Sequence, residues 1–144
     1  RKEITTEGGL NVYKYFNKIK LLVTRLNSKK IRTSLFINPN LKDIFYSKKI
    51  NTRCVELHTG KISELIKNKK NYKNELKKIK KCAKYANKLG LEVHAGHGMD
   101  YKTSRILSKI KEIEEFNIGH FIIGESISLG LKNVIKKINK IIKK

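Results

Sequence analysis

A histidine between two glycines is the feature of this sequence that most directly suggests chemistry. His97 follows a short apolar segment, with Gly96 before it and Gly98 after it. Glycine reaches backbone conformations that other residues avoid, and without a Cβ atom it lets a ligand approach main-chain N–H groups closely. A helical pattern begins near Asp100, and a helix N-terminus favours phosphate and other anions. We therefore interpret this stretch as a candidate site for anion binding and proton transfer, with an ordinary strand-to-helix turn as the alternative.

Glu56 is a second candidate, because it is a carboxylate within an otherwise apolar strand pattern over residues 54–58. Strand alternation places Glu56 and His58 on one face of that segment and aliphatic residues on the other. A carboxylate among apolar neighbours requires a partner or a shifted pKa, so Glu56 is either catalytic or part of a structural ion pair. For His58 and His94 we expect packing and hydrogen bonding rather than catalysis.

Metal binding is a competing interpretation of the histidines, since metal-dependent barrel hydrolases carry their ligands at strand ends. Four histidines fall in or near strand patterns: His58, His94, His97 and His120. Neither a His-x-His pair nor an aspartate at a strand end accompanies them, which argues against a metal-dependent hydrolase. The two cysteines, Cys54 and Cys82, lack C-x-x-C spacing, and we expect buried reduced thiols rather than a disulfide or a zinc site.

The periodicity of the apolar residues predicts the elements that position these groups. Helical spacing predicts helices over residues 12–26, 41–50, 72–89, 106–113 and 131–142. Runs of β-branched and aromatic residues predict strands over residues 31–37, 54–58, 91–95 and 118–124. We interpret residues 61–71, rich in lysine and asparagine, as a connection. Strands separated by helices predict an α/β fold with a parallel sheet, and nothing divides residues 1–144 into two domains.

The charge balance is strongly basic, because 34 Lys and Arg against 12 Asp and Glu give a formal net charge of +22. Only five of the basic residues are arginines, whereas the reading of bases in nucleic acids favours arginine. We attribute the charge to compositional drift and predict no specific nucleic-acid partner.

No apolar run reaches the ~20 residues that a membrane span requires, and we predict a cytoplasmic protein. A lysine-rich binding protein without catalysis is an alternative that leaves the polar residues at strand ends unexplained.

Four short motifs point to a family resemblance that covers nearly the whole chain. They are Thr-Thr-Glu-Gly-Gly at residues 5–9, Glu-Leu-His-Thr-Gly at 56–60, Ala-Gly-His-Gly at 95–98, and Asn-Ile-Gly-His with Ile-Ile-Gly at 117–124. In order and spacing they resemble the pyridoxine 5′-phosphate synthases of vitamin B6 biosynthesis. The resemblance implies a TIM (β/α)8 barrel that condenses two phosphorylated substrates, 1-deoxy-D-xylulose 5-phosphate and 3-amino-2-oxopropyl phosphate, to pyridoxine 5′-phosphate, phosphate and water.

The resemblance also assigns expected roles to residues within these motifs. His97 would be the proton donor and Glu56 the carboxylate that stabilises the transition state. The expected substrate contacts are Thr5 for the deoxyxylulose phosphate and, for the amino-oxopropyl phosphate, Gly98, Gly119 and His120. Because the fourth strand is predicted over residues 118–124, Gly119 and His120 are expected to open that strand. The resemblance implies neither a metal nor an organic cofactor. It does imply a homo-oligomer, which is an octamer in this family.

The same comparison indicates what the chain lacks. The family's Asn-x-Asp-His strand, His-x-Arg pair, further histidine and glutamate base have no counterpart here. The chain therefore corresponds to about the last four strand-helix units of a barrel, and we expect it to be inactive alone. Glu125 stands where some members have arginine, and His94 stands where asparagine is found. Neither change alters an assigned role, and Glu7 receives none.

Overall fold

A computed structural model of the protein describes residues 8–143. The strands are β1 (Ser34–Ile37), β2 (Cys54–His58), β3 (Glu92–Gly96) and β4 (Ile113–Asn117). The helices are α1 (Phe16–Ser28), α2 (Leu41–Ile50), α3 (Gly60–Lys67), α4 (Lys73–Lys88), α5 (Tyr101–Leu107), α6 (His120–Leu129) and α7 (Leu131–Ile142). At least one helix separates each pair of consecutive strands, as the sequence predicts.

The strands form one parallel sheet whose order, β1-β2-β3-β4, follows the chain. The predicted α/β fold with a parallel sheet is therefore confirmed, and β2 begins and ends at the predicted residues. In register, Glu56 of β2 lies beside His94 of β3, and Gly96 of β3 lies beside Asn117 of β4. The carboxyl ends of neighbouring strands consequently meet at one edge of the sheet.

Alternation along the strands divides the sheet into an apolar face and a largely polar face. On the apolar face, Leu35, Val55, Leu57 and Val93 pack into a core that includes side chains of α1, α2, α3 and α4. The other face carries most of the residues that could do chemistry: Ser34, Cys54, Glu56, His58, Glu92, His94, Glu115 and Asn117.

The last third of the chain differs from the prediction. The fourth strand covers Ile113–Asn117 rather than residues 118–124, and the helix predicted over residues 106–113 ends at Leu107. Gly119 is the N-cap of α6 and His120 its first residue, so the expectation that they open a strand is wrong. A short apolar run fits a buried strand or a helix equally well, and the charged residues within β4 weakened its strand pattern.

Helix α3 occupies part of the segment that we interpreted as a connection, so that interpretation is wrong for residues 61–67. The helix buries Ile62, Ser63 and Ile66, whereas Lys61 and Lys67 are exposed. The spacing of Ile62 and Ile66 is that of a single helical face. The lysines and asparagines around them obscured this pattern in the sequence. The position of α3 matters because it begins directly after β2.

The two C-terminal helices, α6 and α7, pack against each other. Helix α7 buries Val134 and Ile138, whereas every residue of α6 is at least partly exposed and Ile127 is 87% exposed. Within residues 8–143, no helix combines the length and the apolar character needed to cross a membrane.

Candidate functional site

A cleft of about 720 Å³ opens at the edge of the sheet where β3 and β4 end. Its lining comprises Gly60, Ser63, Glu64, Lys67, His97, Gly98, Met99, Asp100, Asn117, Ile118, Gly119, His120 and Phe121. Four predicted site residues therefore come together in one place: His97, Gly98, Gly119 and His120. Because α/β proteins bind ligands outside the carboxyl ends of their strands, this cleft is the candidate functional site.

The turn after β3 holds His97 in a left-handed backbone conformation. The φ angle of His97 is 78°, and that of Gly98 is 70°. We expected the glycines to provide such angles, yet the histidine itself adopts one, at a cost of about 1–3 kcal/mol. The buried hydroxyl of Thr59 supports the turn, since it lies 2.7 Å from the carbonyl oxygen of Gly96 and 2.8 Å from that of His97. Such held strain is typical of functional sites.

His58, the last residue of β2, packs directly on His97. The two imidazole rings stack with their centroids 4.6 Å apart and an interplanar angle of 24°. The backbone N–H of Gly60 donates to Nδ1 of His58 at 3.3 Å, so a neutral His58 carries its proton on Nε2. A Cβ atom on Gly60 would lie 2.6 Å from the His58 ring and 2.9 Å from the His97 ring, so glycine makes room for the stacked pair. His58 is thus packed and hydrogen-bonded, as expected.

Glu56 lies on the polar face of the sheet, beside the residues of the cleft. Its Oε2 accepts a hydrogen bond of 2.8 Å from the side-chain amide of Asn117. Its Oε1 fills the space over Gly96 that a Cβ atom would otherwise occupy. The expectation of apolar surroundings is therefore wrong, because this carboxylate is held by an amide across the end of β3. Asn117 lies in one of the four motifs, but the misplaced fourth strand hid its relation to Glu56.

Two helices begin at this cleft without a side-chain cap. Helix α3 starts at Gly60 and α6 starts at His120, and within the described residues neither has an acidic residue in its first turn. The first N–H groups of a helix lack intrahelical acceptors and carry partial positive charge, which favours an anion. Helix α5 also begins here, but the carboxylate of Asp100 already accepts from the N–H of Thr103 at 2.7 Å. The N-terminus of α6 is therefore open to a ligand, as is that of α3 apart from the Gly60 N–H, which donates to His58.

The remaining residues considered from the sequence lie elsewhere. Thr5 and Glu7 fall outside the described residues. His94 is 3% exposed and contacts Arg32 and Ser34 instead of lining the cleft. In the described part of the chain the histidines thus divide between the cleft and the interior of the sheet. They do not converge on one centre, as a metal-dependent hydrolase would require.

A histidine pair, a strained turn and two uncapped helix N-termini at the carboxyl edge of a parallel sheet are typical of α/β proteins that bind phosphorylated ligands. The family model described as pyridoxal phosphate biosynthesis protein PdxJ matches residues 1–144, and the chain belongs to this family. The family predicted from the four motifs is confirmed. It replaces the metal-dependent hydrolase and the non-catalytic lysine-rich protein as interpretations of the sequence.

Curated relatives are similar to nearly the whole chain. The chain is 68% identical over 135 residues to the pyridoxine 5′-phosphate synthase of Pelagibacter ubique (strain HTCC1062). This alignment covers 94% of the chain and 56% of that relative. It is 44% identical over 142 residues to the enzyme of that name from Sulfurihydrogenibium sp. (strain YO3AOP1), covering 99% and 58%. The chain is 40% identical over 143 residues to the pyridoxine 5′-phosphate synthase of Blochmanniella floridana, and the alignment covers 99% of the chain and 58% of that relative. The chain thus spans a little over half the length of these relatives.

Proposed function

We propose that the protein to which this chain belongs is a pyridoxine 5′-phosphate synthase. It condenses 3-amino-2-oxopropyl phosphate with 1-deoxy-D-xylulose 5-phosphate to give pyridoxine 5′-phosphate, phosphate and water. The observation that carries this proposal is the cleft shared by His97, Gly98, Gly119 and His120, because the motif resemblance requires these separate residues to form one site. The names of the relatives described above support the same activity.

The proposed fold of the complete protein is a TIM barrel in one domain, of which this chain supplies four consecutive strand-helix units. The sheet order supports it, because β1 and β4 are left as edges that further parallel strands would join. A single parallel bridge between Leu10 and Ile37 already lies on the outer edge of β1. Helix α6, which follows β4, corresponds to the short extra helix that commonly binds phosphate after the last strands of such barrels.

Backbone groups would bind the phosphate of 3-amino-2-oxopropyl phosphate. Its proposed contacts are Gly98, in the turn after β3, and Gly119 and His120, at the start of α6. In the described part of the chain a Cβ atom on Gly119 would meet nothing within 4 Å, so space remains for a ligand at this position. Lys67 brings positive charge to the same cleft, which the carboxylates of Glu64 and Asp100 also line. Thr5, outside the described residues, would contact the deoxyxylulose phosphate.

His97 would act as the proton donor and Glu56 as the stabilising carboxylate. Condensing an amine with a ketone expels water, and a hydroxyl group leaves readily when an acid protonates it. The stack with His58 fixes the position of the His97 ring, while Asn117 fixes the carboxylate of Glu56. A carboxylate held in advance stabilises the positive charge that develops as water departs. No metal or organic cofactor takes part in the proposed reaction.

An assay of the complete protein with both substrates tests the proposed activity. The wild-type protein should form pyridoxine 5′-phosphate and release phosphate, and a folded protein that forms no product would contradict the proposal. The 144-residue chain should be assayed beside it and should form no product, because the family's glutamate base and N-terminal histidines have no counterpart in it. Product from the chain, above that of a His97→Ala control, would mean that those groups are dispensable.

We also infer that the complete protein is a cytoplasmic homo-oligomer, as the family resemblance implies. The exposed Ile123 and Ile127 on α6 are consistent with contacts to further parts of an assembly. Light scattering after size-exclusion chromatography measures the mass of the particle. A mass equal to that of one complete chain would contradict this inference.

A further inference from the structure

A second cluster of reactive side chains lies on the polar face of the sheet, toward the amino ends of the strands. Cys54 begins β2, Glu92 begins β3 beside it, and His94 follows two residues later. One possible ligand atom from each residue lies within 4.8 Å of the other two. Cys54 is fully buried, and His94 is nearly so. A thiol, a carboxylate and an imidazole at this spacing form a donor set suited to Zn²⁺ and similar cations.

The guanidinium group of Arg32 now contacts all three side chains. Its Nε lies 3.1 Å from Sγ of Cys54, and its Nη2 lies 2.9 Å from Oε1 of Glu92 and 3.1 Å from Nε2 of His94. Arginine has only donors, so Nε2 of His94 accepts and a neutral His94 carries its proton on Nδ1. In this chain the Arg32 side chain is 50% exposed and precedes β1, so it can turn toward water without moving a strand.

The other side of the His94 ring is arranged as in metal sites. Nδ1 lies 3.6 Å from a carboxylate oxygen of Glu115 and 3.4 Å from the hydroxyl of Ser34. Histidines that bind metals almost always donate their second ring N–H to a carboxylate or a similar acceptor, which fixes the ring and its tautomer. Arg32 and Glu115 thus favour the tautomer of His94 that presents Nε2 as a ligand.

We propose that Cys54, Glu92 and His94 bind a divalent cation of the Zn²⁺ type in place of the Arg32 guanidinium. The exchange leaves the net charge of the cluster at zero. Before it, the positive guanidinium balances the negative Glu92 carboxylate. After it, the dication balances this carboxylate and a Cys54 thiolate. The Cys54 proton passes to solvent, Arg32 turns outward, and water supplies the fourth ligand. In a tetrahedral site with bonds of about 2.0–2.3 Å, ligand atoms lie roughly 3.3–3.8 Å apart, so the cluster closes by about 1 Å.

This cation site is separate from the cleft, because none of its three ligands is among the residues that line the cleft. The bound cation ties β2 to β3 and stabilises the folded chain by an amount that rises with the logarithm of its concentration over its dissociation constant. Since the site takes no part in the proposed condensation, its test uses no substrate. Failure of one proposal therefore leaves the other intact.

Titration of the purified chain with Co²⁺ tests the proposal, because Co²⁺ bound to a thiolate has a charge-transfer absorption band that binding to nitrogen and oxygen atoms alone does not give. The Cys82→Ser variant leaves Cys54 as the sole thiol of the chain. We expect this variant to develop the band, to lose it when Zn²⁺ is added, and to melt at a higher temperature with either metal. A folded Cys82→Ser chain that shows no thiolate band at millimolar Co²⁺ overturns the proposal.

Two further variants separate a cation site from a purely structural ion-pair cluster. Arg32→Ala removes the guanidinium that contacts all three ligands, while Arg53 stays 3.5 Å from Oε2 of Glu92, and it should tighten Co²⁺ binding about tenfold or more. Glu115→Gln should weaken Co²⁺ binding about 10–100-fold. Arg25→Ala, at an exposed position on α1, is the matched control for loss of one arginine and should leave the affinity unchanged. Equal affinities in Arg32→Ala and Arg25→Ala would show that the guanidinium and the cation do not compete, and would overturn the proposal.

Discussion

The two ends of the same four strands hold their polar groups in opposite ways. At the carboxyl ends, the cleft is lined by backbone turns, helix N-termini and side chains that include His97, which stacks on His58. At the amino ends, formal charges meet and neutralise one another, as in the ion pair of 2.9 Å between Arg32 and Glu92. The carboxyl ends therefore present hydrogen-bond donors to a ligand, whereas the amino ends already use theirs within the protein.

Topology explains this difference. In a parallel sheet with helical crossovers, a helix begins soon after each strand ends, so helix N-termini collect at the carboxyl edge. Their partial positive charge attracts anions without any charged side chain. No such backbone donors collect at the amino edge, so side chains there must satisfy one another. We accordingly expect substitutions of His97 and Glu56 to change activity, and substitutions at the amino ends to change stability.

The largest expected effect is the loss of turnover when His97 is removed. In the complete protein, His97→Ala should lower turnover by about a hundredfold or more, as for the loss of a general acid. Arg32→Ala, at the opposite end of the sheet, is the control and should leave turnover nearly unchanged. Steady-state rates and substrate binding should be measured for both variants. Near-normal turnover in His97→Ala with binding intact would exclude His97 as the proton donor.

A smaller loss of activity is expected from Glu56→Gln. Glutamine is nearly isosteric with glutamate and still accepts from Asn117, so the fold should be kept. Turnover should fall roughly 10–100-fold, because negative charge near a developing cation is lost. Asn117→Ala should produce a smaller loss by releasing the carboxylate. Rates should be compared with melting curves, since a destabilised Glu56→Gln protein whose folded fraction stays fully active would support a structural role instead.

Gly96→Ala tests whether the end of β3 depends on its lack of a side chain. The new Cβ would collide with Oε1 of Glu56, which must shift, and we expect a loss of about 1–3 kcal/mol in the free energy of unfolding. Gly124→Ala is the matched control, since this glycine lies within α6 with open space around it in the described structure. It should gain about 0.5–1 kcal/mol from higher helix propensity. Urea unfolding measures both, and equal losses would mean that crowding at Gly96 is not the cause.

The smallest expected effect is a pH dependence that originates at the amino ends. The hydrogen bond from the Cys54 thiol holds the pKa of Glu92 below its ordinary value of 4.5. Partial burial raises this pKa, whereas the charge of Arg32 lowers it further. A lowered carboxyl pKa stabilises the folded state above pH 4.5, and that contribution is lost as the pH falls through the folded-state pKa. In metal-free buffer, the melting temperature of the wild type should fall more between about pH 5 and pH 3 than that of Glu92→Gln, by roughly a degree or two. If the melting temperatures of the two proteins fell equally over this pH range, the expectation would be contradicted.

The residues of the cleft were more predictable from the sequence than the helices and strands that carry them. Strands β2 and β3 lie within one residue of their predicted bounds, because strands of a parallel sheet are rich in β-branched and aliphatic residues. Strand β4 was missed because Glu114 and Glu115 interrupt it, while the more apolar residues that follow belong to α6. The glycine and histidine motifs were unaffected by that error, since they depend on local residue types and not on the element assigned to them.

The amino-end cluster lay beyond sequence reasoning for a different reason. Cys54 and Glu92 are 38 positions apart, and their contact depends on the register between β2 and β3. A shift of one residue in that register would place them on opposite faces of the sheet. The prediction that Cys54 and Cys82 are buried is confirmed. Their spacing along the chain, however, contains no information about ligands that a neighbouring strand supplies.

The order of the strands also bears on how the chain folds while it is being synthesised. Each strand after the first pairs with the strand that precedes it in sequence, so a new strand leaving the ribosome finds its partner already made. Within residues 8–143, β2 joins β1, β3 joins β2 and β4 joins β3. Because folding during synthesis proceeds from the N-terminus, the sheet can grow by one strand at a time. A pause in translation at any crossover helix would then leave a smaller sheet in the correct order.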